Sequence, residues 1–214
     1  MRLRNIPGAE AALREYPTFV DNPVSYKGRW RERFGNDHPI HVEIGCGKGQ
    51  FITTLAARHP EINFIAVELK AEVVLRALQR TEQREIPNLA FVQFNAAQLT
   101  ELFADGEISL LYLNFSDPWP KTRHAKRRLT YPSFLATYRQ VLKPDGEIHM
   151  KTDNEKLFEF SLNQFAAERF QMRNITFDLH NSKLAEDNVM TEYEERFSAR
   201  GQRIYRVEAC CEIK

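Results

Sequence analysis

Three observations predict a doubly wound α/β fold with a mostly parallel sheet and an antiparallel end. From Ile40 onward, apolar runs of strand length alternate with segments of helical period. That alternation belongs to a parallel sheet with helices on both faces. Polar groups recur at the ends of the first five runs, the edge where open α/β sheets bind ligands. The last two strand-like segments have no helix between them, so they can pair antiparallel. That ending argues against a plain dinucleotide-binding half-fold.

Residues 1–37 carry no sustained apolar period. They mix Pro7, Pro17 and Pro23 with Arg2, Arg4, Arg14, Lys27, Arg29, Arg31 and Arg33, and with Tyr16, Phe19, Tyr26 and Trp30. Cations interleaved with aromatics can lie along a nucleic acid, because aromatics stack on bases and cations track phosphates. The other reading is a partly disordered arm with a few aromatics packed on the domain. Residues 1–37 are therefore read as a basic, aromatic N-terminal arm, and residues 38–214 as the folded domain.

The first strand is predicted over residues 41–44 and runs into Gly45-Cys46-Gly47-Lys48-Gly49. Phe51, Ile52, Leu55 and Ala56 follow at helical spacing. Residues 63–67 form a second apolar strand that ends at Glu68. A helix over residues 71–84 places Val73, Val74, Ala77 and Leu78 on one face. Pro87-Asn88 is a turn, residues 89–94 a third strand ending at Asn95, residues 97–103 a short helix, and Asp105-Gly106 a turn. Residues 110–115 form the fourth strand. Pro132 suits the first turn of a helix through Val141, which Lys143-Pro144-Asp145-Gly146 breaks. Residues 147–151 form the fifth strand and end in Thr152-Asp153-Asn154. Leu157, Phe158, Phe160, Leu162, Phe165 and Ala166 mark a further helix. Residues 172–179 and 203–213 read as strands. Between them lies a polar loop ending in residues 191–197.

The chain has 214 residues and 43% hydrophobic side chains, enough for one domain with a real core. Net charge is +1, so affinity for a polyanion has to come from uneven charge. Cys46, Cys210 and Cys211 show no zinc-type spacing and read as free thiols; no metal is called for. No apolar run is long enough to cross a bilayer, and a soluble cytoplasmic protein is the expectation.

The chemistry gathers at the strand ends. The glycine turn departs from the G-x-G-x-x-G fingerprint, because Gln50 stands where the last glycine would be. Glu43 sits two residues ahead of the first glycine. A carboxylate there suits a pyrophosphate poorly. It suits a cofactor with an ammonium group and a sulfonium centre, and S-adenosylmethionine has both. Glu68 can accept from two ribose hydroxyls, and the Asn95 amide can pair with an adenine edge.

The densest stretch is Asp117-Pro118-Trp119-Pro120-Lys121, followed by Arg123, His124, Lys126, Arg127 and Arg128 with no acid among them. A carboxylate, a large aromatic and two rigid prolines sit beside a basic run. The alternatives are a polyanionic substrate delivered to a small-molecule site and a solvated loop with a chance cluster of cations.

Together, Glu43 to Gly49, Val67-Glu68, Asp117 to Lys121, Arg123 to Arg128, Thr152-Asp153-Asn154 and Thr191-Glu192-Tyr193-Glu194 resemble the bacterial tRNA (guanine-N7-)-methyltransferases of the TrmB type. The resemblance runs from the start of the chain past Phe197. It implies the class I methyltransferase fold, a Rossmann-like seven-stranded sheet with a reversed last strand. It implies S-adenosylmethionine at Glu43, Gly45, Gly47, Glu68, Asn95 and Asp117. It implies substrate guanosine at Lys121, Asp153, Thr191, Tyr193 and Glu194, tRNA contacts at Arg123, His124, Lys126, Arg127 and Arg128, and the variable-loop guanosine as target. Asn95 departs from the Asp expected in many members. Monomer and homodimer both occur in the family.

Guanine N7 carries a free lone pair, so catalysis needs positioning and a field rather than a base. Asp117 is the catalytic candidate, ahead of Asp153, because its flanking prolines stiffen the backbone. Three other readings differ in substrate or class. They are a methyltransferase acting on another nucleic-acid atom or substrate, an NAD-dependent oxidoreductase, disfavoured by Gln50 and Glu43, and an RNA-binding relative without catalysis.

Overall fold

The computed structural model describes residues 6–82 and 84–211. Arg2 and Arg4 of the arm, Gln83 in the helix expected over residues 71–84, and the end of the strand expected to reach Ile213 lie outside the described residues.

Seven strands form one sheet: β1 (Ile40–Ile44), β2 (Asn63–Glu68), β3 (Leu89–Gln93), β4 (Ile108–Asn114), β5 (Leu142–Thr152), β6 (Gln171–Thr176) and β7 (Tyr205–Cys210). Their order is β3-β2-β1-β4-β5-β7-β6. The first five run parallel, and β7 lies antiparallel to both β5 and β6. The α-helices are α1 (Ala9–Leu13), α2 (Trp30–Phe34), α3 (Gln50–Arg58), α4 (Ala71–Thr81), α5 (Leu99–Leu102), α6 (Pro132–Val141), α7 (Glu155–Ala167) and α8 (Glu192–Ser198).

Strand alternation divides the core in two. Ile65 and Val67 of β2, with Leu111 and Leu113 of β4, face Leu135 of α6 and Phe158 of α7. Phe64 and Ala66 face the other way, against Ile52 of α3 and Val74 and Leu78 of α4. Each of these side chains is almost fully buried, and burial of one large aliphatic or aromatic side chain is worth roughly 1.5–3 kcal/mol.

On the α3 side the middle of the sheet is polar. Register places Glu43, Tyr112, His149 and Glu208 in one row across β1, β4, β5 and β7, and Asn114, Lys151 and Arg206 in the next. These rows lead to the carboxyl ends of the parallel strands.

The arm packs on this frame. Phe91 donates its N–H to Thr18 O and accepts from Val20 N at 3.0 Å, so residues 18–20 run beside β3 and cover part of that edge. Trp30 is fully buried and donates from Nε1 to Leu102 O at 3.1 Å. It is a core residue, with no face free to stack a base.

Two local expectations are corrected. Lys143 to Gly146 does not precede the fifth strand but lies within β5. The helix does stop at Val141, and the strand absorbs the Pro-Gly segment through a register shift: Ile108 pairs with Leu142 while Leu110 pairs with Glu147. Residues 191–197, expected as polar loop, are the cap and most of α8. Thr191 Oγ1 accepts the Glu194 N–H, and the Glu194 carboxylate returns to the Thr191 N–H, forming a capping box.

Candidate active site

The site begins with a tight turn. Gly45, Gly47 and Gly49 all have φ between 56° and 76°, the left-handed region that favours glycine. Gly49 also has no room for a side chain, because a Cβ would come within 3.0 Å of Ala77 and 3.3 Å of Phe91. The turn carries β1 into α3 and leaves Glu43 beneath it.

Glu43 is buried. One carboxylate oxygen accepts from Asn114 Nδ2 at 2.9 Å, and the other is buried with no partner in the protein. Burial pushes its pKa up to about 7, against the opposing pull of Asn114, Lys151 and the nearby Ile52 N–H, which makes no well-formed hydrogen bond to the free oxygen. A buried oxygen without a donor is costly. Glu43 is part of the wall of a cleft of about 220 Å³, with Gly45, Gly47, Asn114, Phe115, Thr191 and Tyr193.

A second cleft of about 650 Å³ adjoins the first at Gly45. Glu68, Asn95, Phe134, Trp119, Lys126 and Arg127 are among its walls. Glu68 is held by the N–H groups of Leu69 and Lys70, at 2.8 and 3.2 Å, and by Gly47 N at 3.4 Å. Asn95 Oδ1 accepts from Ala97 N at 3.0 Å, so its amide offers the cleft its NH₂ donor.

The segment after β4 is wound tightly. Phe115 and Trp119 take positive φ values of 51° and 41°, uncommon for bulky aromatics. Arg128 turns inward and clamps this loop, donating to Pro118 O at 3.1 Å and Trp119 O at 3.0 Å, with its guanidinium over the Phe160 ring. It is thus a brace for the loop, unlike its neighbours in the basic run. Lys121, Arg123, Lys126 and Arg127 are exposed, and His124 is half-buried with its ring edge-on to Trp119. Arg127 lies over the Trp119 ring at 4.8 Å.

Asp117 is exposed and lies outside the walls of both clefts. Asp153 is half-buried and accepts the Tyr193 hydroxyl at 2.9 Å. Burial and that bond push the Tyr193 phenol up to about 12, so it stays a neutral donor. Glu194, expected at the guanosine, is fully buried behind the site. Its oxygens take Lys151 Nζ at 2.6 Å, Asn188 Nδ2 at 2.7 Å and the Thr191 N–H. Thr191 Oγ1 caps α8. The structure therefore joins Glu43, Gly45, Gly47, Thr191 and Tyr193 around one cleft, and Gly45, Glu68 and Asn95 around the other.

Sequence reasoning missed Lys151 and Asn114. Lys151 Nζ also donates to Val189 O at 2.8 Å and Asn188 Oδ1 at 3.0 Å. The available signal for it was its place next to the end of β5, the strand edge where the site gathers. Cys46, Cys210 and Cys211 are free thiols. One metal-like group occurs among the described residues: Glu147, His149 and Glu208. Both its carboxylates are paired with Arg173, and Glu208 also with Arg206. No helix among the described residues is long and apolar enough to cross a membrane.

A parallel sheet closed by an antiparallel strand, a glycine turn over a buried acid and a second acid at the next strand end define a class I methyltransferase. A family model described as "Putative methyltransferase" matches residues 37–207. The chain is 85% identical over 214 residues to a curated tRNA (guanine-N(7)-)-methyltransferase of Brevibacillus brevis, with 100% of both chains covered. It is 56% identical to one of Lactococcus lactis subsp. cremoris, over 98% of this chain and 97% of that one. The chain belongs to the tRNA (guanine-N7-)-methyltransferase family. Its fold matches that of the 16S rRNA methyltransferase KamB with TM-score 0.66 and 12% identity, over 86% of this chain and 93% of that chain.

Proposed function

We propose that this protein transfers the methyl group of S-adenosylmethionine to N7 of a guanosine in the variable loop of tRNA, giving 7-methylguanosine. The observation that carries the cofactor assignment is the buried, partnerless oxygen of Glu43 beside the glycine turn. An ammonium group is the donor it lacks. The adjoining cleft offers Glu68 to ribose hydroxyls, and the Asn95 NH₂ to a ring nitrogen of adenine. With its oxygen committed to Ala97, Asn95 donates where an Asp would accept.

The cofactor, when bound, supplies an electrophilic methyl on sulfur. Guanine N7 needs no deprotonation, so the protein's task is in-line placement and stabilisation of the cationic product ring. Asp153, aligned by Tyr193, borders the smaller cleft through that tyrosine. Asp117 is exposed, on the loop that follows β4 and outside the walls of both clefts. We assign the field at the developing cation to Asp117, with Asp153 orienting the guanosine. Lys121 and the run from Arg123 to Arg127 hold phosphates, which positions the RNA without reading its sequence. Arg128 acts through the loop it clamps.

The test is transfer of labelled methyl from S-adenosylmethionine to an unmodified tRNA transcript, followed by nucleoside analysis. Label in 7-methylguanosine is the expected product. Label in another nucleoside would leave the fold standing and overturn the target atom.

A further inference from the structure

The acids of α8 and the cations in and just after it are partnered differently. Each acid is engaged from within the fold: Glu192 by Lys48 at 2.9 Å and Arg80 at 3.6 Å, Glu194 by Lys151, and Glu195 by Gln50 Nε2 at 2.6 Å. Arg196 of α8 and Arg200, which follows the helix cap, are not. Arg196 and Arg200 are exposed, and neither forms an ion pair among the described residues. Both lie over the same ring, Phe197, at 5.7 and 5.5 Å from its centroid.

Phe197 belongs to a ladder of rings. It stacks on Tyr193 with centroids 4.1 Å apart and planes 24° apart, and Tyr193 meets Phe115 at 5.0 Å. Tyr193 is 41% exposed. Phe115 and Tyr193 line the cleft that contains Glu43. A helix C-terminus favours a cation in its last turn, but it does not call for two unpaired guanidinium groups over one half-buried ring that stacks on an exposed tyrosine. Aromatic faces bordered by arginines are what an unpaired nucleotide binds, with its base on the ring and its phosphate on the cations.

We propose that Tyr193, Phe197, Arg196 and Arg200 form a second RNA-binding face, which stacks an unpaired base flanking the target nucleotide and holds its phosphate. The proposal rests on the RNA-modifying function above and extends it. The two clefts meet at Gly45, so the basic run borders one and this face borders the other. The RNA backbone is then held on both sides of the nucleotide that enters.

The test uses the full-length protein and an unmodified tRNA transcript, with two variants: Arg196→Gln/Arg200→Gln and Phe197→Leu. Affinity is titrated across a salt series, alongside KM and kcat. The double variant is expected to weaken tRNA binding about tenfold and to flatten the plot of log affinity against log salt by about 1–2, the loss of two phosphate contacts. Phe197→Leu keeps an apolar side chain but removes the stacking face, and should raise KM for tRNA about fivefold or more. In both, S-adenosylmethionine affinity and kcat at saturating tRNA should stay at wild-type values. Wild-type tRNA affinity and salt slope in both variants would overturn this face and leave the function intact. Affinity and slope need no turnover, so the face is decided even if the wild-type product is a different nucleoside.

Discussion

Lys151 Nζ stands 2.6 Å from Glu194 Oε2, joining β5 to α8 with side-chain exposures of 6% and 0%. Burial pushes the ammonium below its usual range, and Glu194 opposes that shift. The same nitrogen holds Val189 O and Asn188 Oδ1. One cation thus fixes the loop that carries Thr191 and Tyr193 to the cleft.

Removing that cation takes the lysine from a buried carboxylate that keeps only Asn188 Nδ2, the Thr191 N–H and the neighbouring His180. Lys151→Met is expected to cost about 3–5 kcal/mol of stability, read as a lowered urea midpoint. Lys151→Met combined with Glu194→Gln should recover part of the loss, because no buried charge remains. Additive losses in the pair of substitutions would show that the two residues do not act together.

Glu43 makes cofactor binding depend on pH. Its folded-state pKa, about 7, lies above the ordinary value of 4.5. The folded protein therefore keeps a proton that the unfolded chain would release. The stability this contributes is full below about pH 4.5 and is lost as pH rises through about 7, on the order of 3 kcal/mol in all. The cofactor ammonium needs the ionised form, so S-adenosylmethionine affinity should fall as pH drops below 7, with proton release on binding. Calorimetry in buffers of different ionisation heat measures that proton. Glu43→Gln should abolish the release and weaken the cofactor at least tenfold. It should also make the free protein more stable at pH 8.

Arg127 and Arg128 should separate, although they are neighbours in the basic run. Arg127→Gln removes an exposed cation and should flatten the salt dependence of tRNA binding by about one. Arg128→Lys keeps the charge but cannot supply two directed bonds to Pro118 O and Trp119 O. It should lower kcat/KM about tenfold with the salt slope near wild type. A flattened slope in Arg128→Lys would return Arg128 to the RNA surface.

Asp117 and Asp153 are told apart by single-turnover kinetics. Asp117→Asn is expected to slow the methyl-transfer step about tenfold or more while tRNA affinity stays near wild type. Asp153→Asn loses the charged acceptor for Tyr193 OH and should raise KM for tRNA more than it lowers kcat. A wild-type rate in Asp117→Asn would remove that residue from the mechanism.

The parallel half of the fold was readable because its strands are buried on both faces, as in the run from Asn63 to Glu68. Glu43 and Glu68 were readable too, since a strand end beside a glycine turn fixes where a side chain goes. The connection between β6 and β7 was not. Helix α8 offers only Tyr193 and Phe197 as large apolar residues at helical spacing; it is held by its capping box and by ion pairs to distant residues, and the Thr191-x-x-Glu194 spacing was the other sign of it. Glu194 was expected at the guanosine from the family resemblance, and the structure buries it against Lys151. Arg128 could not be distinguished from Arg127, because the difference lies in the positive φ of Trp119 and the carbonyls it turns inward.

The reversal of β7 has a consequence for how such a protein can diversify. β6 runs with β5, and β7 runs against both. The connection over residues 177–204 therefore leaves and re-enters the sheet at one edge, and it never has to traverse a face. It is released from the length and polarity that a crossover helix imposes. Such a segment can be lengthened, shortened or exchanged between relatives as a cassette, retuning which RNA is admitted while the cofactor half of the molecule stays as it is.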